Sequence, residues 1–125
     1  MFKSIDPRSP TPLYAQIADR IRLAVAAGEL VKGESLPSVR ALATQLRVNP
    51  ATIVQAYREL ERDRILEMRQ GSGTFVADVP TETRAKEKSV AAQRFVRQML
   101  TEAARQGLSP SDLHTALERE LPESK

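Results

Sequence analysis

The sequence predicts a mainly α-helical fold with one small β-hairpin. Two observations lead to this prediction: apolar residues recur with helical spacing through most of the chain, and one short segment rich in strand-forming residues is interrupted by glycines. With 125 residues, 41% of them apolar and 28% charged, the chain has the composition of an ordinary soluble protein. We therefore expect either one compact domain or one small domain with an appendage.

The first helix is predicted over about residues 12–27. Its apolar residues recur at intervals that place them on one face, and they are Leu13, Ile17, Ile21, Ala24 and Val25. Pro12 suits the first turn of a helix, where its missing N–H would have no intrahelical partner. Gly28 suits the position just past the helix end, where the backbone often turns left-handed.

Two short helices follow, separated by about three residues. Ser38 can cap a helix over about 38–46, and Asn49 can cap a third helix that has Pro50 at its first position. The residues predicted to be buried are Val39, Leu42, Ala43 and Leu46 in the second helix and Ile53, Ala56, Tyr57 and Leu60 in the third. Two short helices with so brief a connection predict a helix-turn-helix.

The segment ILEMRQGSGTFVA, residues 65–77, changes to the pattern of β-structure. Two short apolar runs flank RQGSG, and Gly71 and Gly73 supply the positive φ angles that a tight hairpin tip requires. Three helices followed by a hairpin predict a winged helix-turn-helix domain, which we place at residues 8–78.

Residues 81–125 predict a helical extension of the winged domain. One helix starts among polar residues and ends at Gly107, and a second begins after a cap by Ser109 or Ser111. Their apolar stripes are Val90, Phe95, Val96, Met99, Leu100 and Ala103 in the first helix and Leu113, Leu117 and Leu121 in the second. Two such helices make a poor core alone, so they must pack on the first domain or on a second copy. We expect the second copy, which gives a homodimer.

Acidic residues are unevenly distributed along the chain. The net charge is only +3, from 19 basic and 16 acidic residues, yet none of the 24 residues from Ser35 to Arg58 is Asp or Glu. The overall frequency of acids would place about three there. Arg40 and Arg47 lie inside this window, and Arg69 lies in a second acid-free segment, MRQGSGTFVA. Either chance and local helix requirements explain the pattern, or acids are excluded where a polyanion approaches.

Four blocks over about half of the chain, Leu13 to Val76, resemble the DNA-binding domain of the GntR family of bacterial transcription regulators. In order they are PLYAQIADRI, GELVKGESLPSVRALATQL, VNPATIVQAYRELERDRIL and RQGSGTFV. The third block and the short tail are most similar to the YtrA-type branch. The resemblance implies a homodimer paired through its C-terminal helices and a repressor that occupies a palindromic operator in double-stranded DNA. Two features differ from the family pattern: Arg47 replaces a Gly common in the turn, and Pro50 and Val54 stand where some relatives have Arg.

The third helix presents a face suited to the major groove if its apolar face is buried. The residues expected on the outer side are Ala51, Thr52, Val54, Gln55 and Arg58. Gln55 can pair with adenine N6 and N7, while small apolar groups such as Val54 can contact thymine methyl groups, which slightly favours an A/T-rich site. Alternatively, Val54 and Ala51 are scattered surface apolar residues of the kind common in proteins.

The remaining DNA contacts are expected at the starts of the second and third helices and at the hairpin tip. The resemblance implies that Arg40 contacts DNA, and its guanidinium can grip a phosphate; the alternative is a surface ion pair. The resemblance also implies that the hairpin tip reaches a minor groove; the alternative is that its glycines serve the turn alone. The residues predicted to bind DNA outside the outer side of the third helix are Ser38, Arg40, Asn49, Pro50, Arg69, Gln70, Gly71, Ser72 and Gly73.

Other classes of function are poorly supported by the composition. The chain has no Cys and only one His, His114, so we expect no metal site, no His-based triad and no cofactor. The absence of a long apolar run and of a signal-peptide h-region predicts a cytoplasmic protein without a membrane segment. We expect a regulator and not an enzyme, and a winged helix recruited as a protein–protein adaptor is the alternative. No residue identifies a small-molecule effector.

Overall fold

The computed structural model describes residues 1–2 and 5–122, which form five helices and one two-stranded sheet. The elements are α1 (Leu13–Ala26), α2 (Val39–Leu46), α3 (Pro50–Arg62), β1 (Leu66–Arg69), β2 (Gly73–Val76), α4 (Thr81–Arg105) and α5 (Pro110–Glu120). The predicted fold class, mainly α with a small β-hairpin and two C-terminal helices, is confirmed.

The contacts within the chain divide it into two compact units, Met1–Ala91 and Ala92–Lys125. α4 begins in the first unit and continues in the second. The predicted division into domains at residues 8–78 and 81–125 stays a prediction. No helix in the described part of the chain has both the length and the apolar character needed to cross a membrane.

The first unit has a core to which α1, α2, α3 and the hairpin all contribute. Its largest fully buried side chains are Ile17, Ile21, Leu42, Ile53, Leu60, Ile65 and Val76. Burying one aliphatic side chain of this size stabilises the fold by about 1.5–3 kcal/mol. The predicted inner face of α3 is confirmed, since all four of its members are buried: Ile53, Ala56, Tyr57 and Leu60. In α2, Val39 and Leu46 are only half-buried because they lie at its two ends.

The predicted capping residues set the starts of α2 and α3. The Ser38 hydroxyl oxygen accepts a hydrogen bond from the backbone N–H three residues later at 3.1 Å, and the Asn49 carboxamide oxygen accepts one from two residues later at 2.9 Å. Each bond satisfies an N–H group that has no partner inside the helix. Gly28 follows α1 with a φ of 81°, as predicted. Pro12 precedes α1 as its N-cap and does not lie in the first turn, which corrects the prediction by one residue.

The hairpin is anchored to the segment that precedes α2. β1 and β2 are antiparallel, with Leu66 opposite Val76 and Arg69 opposite Gly73. Residues 33–36 run beside β2: their backbone donates two hydrogen bonds of 2.8 Å to this strand and accepts one of 2.9 Å from it. These bonds fix the position of the hairpin relative to the start of α2.

An ionic cluster joins α1, α3 and the start of α4. The Arg22 guanidinium is hydrogen-bonded to the Asp63 carboxylate and lies 3.5 Å from carboxylate oxygens of Glu59 and Glu87. Only 11% of the Arg22 side chain is exposed. The hydrogen bond from Arg22 lowers the pKa of Asp63. Burial by itself lowers the pKa of Arg22, but the hydrogen bond to Asp63 and the three carboxylate charges outweigh burial and raise it. We call these four residues the Arg22 cluster.

The second unit consists of the C-terminal part of α4 and of α5, which starts with a capping box. The Ser109 hydroxyl accepts a hydrogen bond from the Asp112 N–H at 3.1 Å, and the Asp112 carboxylate accepts one from the Ser109 N–H at 2.8 Å. Of the two predicted caps, Ser109 is therefore used and Ser111 is not. The same hydrogen bonds lower the pKa of Asp112.

The second unit leaves much of its apolar surface uncovered. An open groove of about 390 Å³ lies between α4 and α5, with Phe95, Met99 and Leu113 among its lining residues. The large apolar side chains that remain exposed in this unit are Phe95, Val96, Leu108, Leu117 and Leu121. The two apolar stripes predicted from the sequence are present, and they are incompletely buried within the chain.

Candidate nucleic-acid interface

The helix-turn-helix consists of α2, a turn of Arg47, Val48 and Asn49, and α3. Arg47 ends α2 in the left-handed conformation, with φ 58° and ψ 46°. A non-glycine residue in this conformation costs on the order of 1 kcal/mol, so the replacement of the family's common Gly by Arg47 introduces backbone strain here. Val48 packs against the core, and Asn49 caps α3. The turn therefore leads directly into the first N–H groups of α3.

The outer face of α3 is accessible from solvent, as the sequence predicted. It carries the exposed residues Ala51, Gln55 and Arg58 and the half-buried residues Thr52 and Val54. The first acidic residues of α3, Glu59 and Glu61, come only after this face. The N-terminal end of a helix also carries a partial positive charge, from N–H groups that point outwards. The start of α3 therefore combines small side chains with a weakly positive potential.

Arg40 lies in the first turn of α2, two residues after the Ser38 cap, with its side chain exposed. No hydrogen bond or ion pair joins its guanidinium to another residue within the ranges 1–2 and 5–122, so the surface ion pair considered as an alternative is not formed there. The same holds for Arg58 on α3. Both guanidinium groups therefore keep all their donors available for a ligand.

Tyr57 connects α3 to the start of α2. Its ring is buried, with 2% of the residue exposed, and its hydroxyl donates a hydrogen bond of 2.7 Å to the Pro37 carbonyl oxygen. Burial raises the pKa of Tyr57 to about 12. The prediction that Tyr57 belongs to the core is confirmed, and its ring is unavailable for stacking on a base. The hydrogen bond to Pro37 escaped the sequence analysis, because its partners are 20 residues apart.

The hairpin tip presents Arg69 in a fixed orientation. Its guanidinium carbon lies 4.4 Å from the centroid of the Phe75 ring, and its Nε donates to the Glu67 carboxylate at 3.1 Å. The residues that follow, Gln70 to Gly73, are exposed, and Gly71 and Gly73 have the predicted positive φ angles of 78° and 114°. Sequence analysis missed the two partners of Arg69. Both partners could be found from the hairpin register, because Glu67 lies on the same face of β1 as Arg69 and directly opposite Phe75.

These surfaces are suited to an extended anion. Arg40, the outer face of α3 and the hairpin tip supply guanidinium groups, a helix start and exposed polar side chains, which are groups that proteins use on nucleic-acid phosphates and base edges. By contrast, the described residues contain no group of three or more His, Cys, Asp or Glu side chains arranged for a metal ion. His114 is exposed on α5, 3.4 Å from Glu118.

Comparison with known proteins identifies the family. The model of the bacterial regulatory proteins of the gntR family matches residues 13–76, which is the whole winged helix-turn-helix. The chain belongs to the GntR family. It is therefore a DNA-binding transcription regulator, as the sequence predicted.

Individual GntR-family relatives extend the similarity beyond the winged helix. The chain is 37% identical over 110 residues to the HTH-type transcriptional repressor YtrA of Bacillus subtilis. The aligned region covers 88% of this chain and 85% of that protein. YtrA from Sulfolobus acidocaldarius, a GntR-family transcription factor, has a TM-score of 0.59 at 34% identity and covers 78% of this chain and 99% of that chain. The similarity predicted to the YtrA-type branch is thus confirmed.

A further similarity is to a protein solved in complex with its operator. AraR(DBD) in complex with operator ORR3 has a TM-score of 0.50 at 33% identity, covering 53% of this chain and 80% of that chain. The shared part corresponds in length to the winged helix alone. None of these similarities supports the alternative of a protein–protein adaptor.

Proposed function

We propose that α3 enters the major groove of an operator and that its outer face reads the bases. The observation that carries the proposal is the division of α3: its inner face is completely buried, while Ala51, Gln55 and Arg58 stay exposed in a segment without acids. Gln55 has the donor and acceptor that pair with adenine, and Thr52 and Val54 offer methyl groups to thymine. The operator complex of AraR(DBD), which contains a similar winged helix, supports this docking.

The groups around α3 position the protein on the DNA backbone. Arg40 grips a phosphate, because its guanidinium is exposed and without an ion-pair partner among the described residues. Ser38 lies at the start of α2, and Asn49 and Pro50 lie at the start of α3. These residues bring both helix starts close to the DNA strand whose phosphate Arg40 contacts. The hairpin tip places Arg69 and its neighbours Gln70 to Gly73 in or beside a minor groove, where glycines permit close approach of the backbone.

Substitution of Arg40 tests the positioning role. We expect Arg40→Ala to weaken binding to operator and to scrambled duplex by similar factors, because an interaction with phosphate carries no base information. The slope of log affinity against log salt should become shallower by about 0.9 for each phosphate that the protein no longer neutralises. Titrations followed by fluorescence anisotropy at several salt concentrations measure both quantities.

Arg62→Ala is the matched control, since Arg62 lies at the far end of α3 and already pairs with Glu59 and Asp63. It should leave affinity and salt slope unchanged. If Arg40→Ala instead abolishes discrimination between operator and scrambled DNA, Arg40 reads bases and the assignment is wrong. A wild-type affinity that is independent of salt argues against DNA as the ligand and favours the adaptor.

We propose that the chain acts as a homodimer paired through its second unit. The exposed residues Phe95, Val96, Leu108, Leu117 and Leu121 and the open groove beside them form an apolar surface that a second copy would cover. Pairing by a two-fold axis places two α3 helices on successive turns of the duplex, which requires a palindromic operator. Because the YtrA relative is a repressor, we propose repression by occupation of a promoter in the cytoplasm, without a catalytic role.

A charge placed on this surface tests the dimer. Phe95→Asp should convert the protein to a monomer and weaken operator binding, because Phe95 is 67% exposed and lines the groove. Gln93→Asp is the control: it adds the same charge to an exposed position on another side of α4. Analytical ultracentrifugation measures the assembly. A monomeric wild type, or a Phe95→Asp variant that dimerises as tightly as wild type, contradicts the assignment.

A further inference from the structure

Arg47 occupies a position where glycine would fit the backbone better. It closes α2 with a φ of 58° in the turn that leads to α3. Such a conformation strains every residue that has a Cβ atom, and glycine relieves that strain. The side chain therefore has to be explained by something other than local backbone preference.

The Arg47 side chain has no polar partner inside the described part of the chain. Arg47 is exposed, and no hydrogen bond or ion pair joins its guanidinium to another residue among 1–2 and 5–122. Its two neighbours in the turn are engaged: Val48 packs on the core and the Asn49 side chain caps α3. No Asp or Glu lies within eleven residues of it along the chain in either direction, since the acid-free window runs from Ser35 to Arg58.

Arg64 provides an internal comparison. It is the other arginine with a positive φ, 60°, and it too is exposed. Unlike Arg47, it follows directly after Asp63, at the opposite end of α3. A 13-residue helix is about 20 Å long, so the two arginines share a backbone conformation and an exposure but lie at opposite ends of the proposed reading helix.

We infer that Arg47 is a further DNA-binding residue, which grips a backbone phosphate beside the major groove that α3 enters. This inference rests on the proposed function, because it requires the start of α3 to face the duplex. A guanidinium two residues before the α3 cap lies where the phosphates flanking an inserted helix start pass the protein. The contact is with the phosphate backbone and is therefore independent of base sequence.

Two substitutions separate the charge from the conformation. Arg47→Gln removes the charge and keeps a long polar side chain on the strained backbone, whereas Arg47→Gly removes both charge and strain. We expect each to weaken binding to a duplex selected from a random pool and to a random-sequence duplex by a similar factor, on the order of tenfold. Each should also make the salt slope shallower by about 0.9. Arg47→Lys should retain most of the wild-type slope.

The thermal stability of Arg47→Gly provides a second measurement. If the Arg47 side chain served only the fold, its removal would not raise the stability while lowering the DNA affinity. Relief of the left-handed strain should raise the Tm of Arg47→Gly by about 2–4 °C while its DNA affinity falls. Arg64→Gly is the matched control, and it should raise the Tm to a similar extent and leave DNA affinity and salt slope at their wild-type values.

Failure of the Arg47 assignment and failure of the proposed function are distinguishable. If wild type binds neither duplex, the proposed function fails and Arg47 fails with it. If wild type binds but Arg47→Gln and Arg47→Gly keep its affinity and slope, only the assignment of Arg47 is overturned. It is also overturned if Arg47→Gly alone weakens binding, since the turn conformation and not the charge would then matter.

Discussion

Replacing Arg22 by methionine should destabilise the first unit substantially, because it leaves three carboxylates of the Arg22 cluster without their common partner. Methionine retains most of the aliphatic volume of arginine, so the loss reports mainly on charge and hydrogen bonding. Breaking a fully buried ion pair costs about 3–5 kcal/mol. The carboxylates of Glu59, Asp63 and Glu87 are 28%, 37% and 20% exposed and keep part of their hydration. After a discount for this solvent screening, we expect a loss of about 2 kcal/mol at neutral pH.

The pH dependence of this loss is a more specific signature than its size. Arg22 lowers the pKa of Asp63 below the ordinary value of 3.8. A carboxyl group with a lowered pKa in the folded state contributes stability that is present above its unfolded pKa and is lost as pH falls through its folded pKa. The difference between wild type and Arg22→Met should therefore be largest near neutrality and shrink as pH falls below about 4.

Urea unfolding at a series of pH values, followed by circular dichroism, measures this difference. Arg62→Met is the control, because Arg62 faces the Glu59 and Asp63 carboxylates from a side chain that is 72% exposed. An exposed pair of this kind should contribute less than about 1 kcal/mol. The reasoning is refuted if Arg22→Met and Arg62→Met destabilise equally, or if the loss in Arg22→Met is the same at pH 3 as at pH 7, values chosen on either side of roughly pH 4.

Three further substitutions on α3 separate folding from DNA reading. Ile53→Ala should destabilise the first unit by about 2–5 kcal/mol through a core cavity, as measured by thermal unfolding. Gln55→Ala should unfold like wild type and lose about 1–3 kcal/mol of discrimination at one base position per half-site, as measured by competition titration with single-base variants. If Ile53→Ala and Gln55→Ala destabilise the protein equally, α3 is rotated from this assignment. Tyr57→Phe should cost about 1 kcal/mol of stability, since the Pro37 carbonyl loses its hydroxyl partner; an unchanged Tm would show that water replaces the bond without loss.

The elements that the sequence predicted well are those determined by neighbouring residues. Ser38 and Asn49 cap helices through bonds to residues two or three positions away, and Gly71 and Gly73 supply the backbone angles of the hairpin tip. The inner face of α3 was equally predictable, because the spacing of its apolar residues matches the helical repeat. Local chemistry of this kind can be read from the sequence before the tertiary fold is known.

The contacts that the sequence did not predict join residues that are far apart in the chain. Arg22 meets partners 37 to 65 residues away, and charge alone does not indicate which of 16 acidic residues these are. The choice of Ser109 over Ser111 as the α5 cap escaped prediction for a different reason: both serines have suitable side chains, and only the capping box with Asp112 distinguishes them. The partners of Arg69 are an intermediate case, because Glu67 and Phe75 can be predicted as its neighbours as soon as the hairpin register is known.

The tripeptide Leu36–Pro37–Ser38 is hydrogen-bonded to each of the elements proposed to bind DNA, namely the hairpin, α3 and α2. The Leu36 N–H donates to β2, the Pro37 carbonyl accepts from α3 through Tyr57, and Ser38 caps α2. None of these bonds involves the outer face of α3. Substitutions on that face should therefore leave these bonds, and with them the spacing between α3 and the hairpin, unchanged, so that the face we propose to read bases can be varied separately from the framework that positions it.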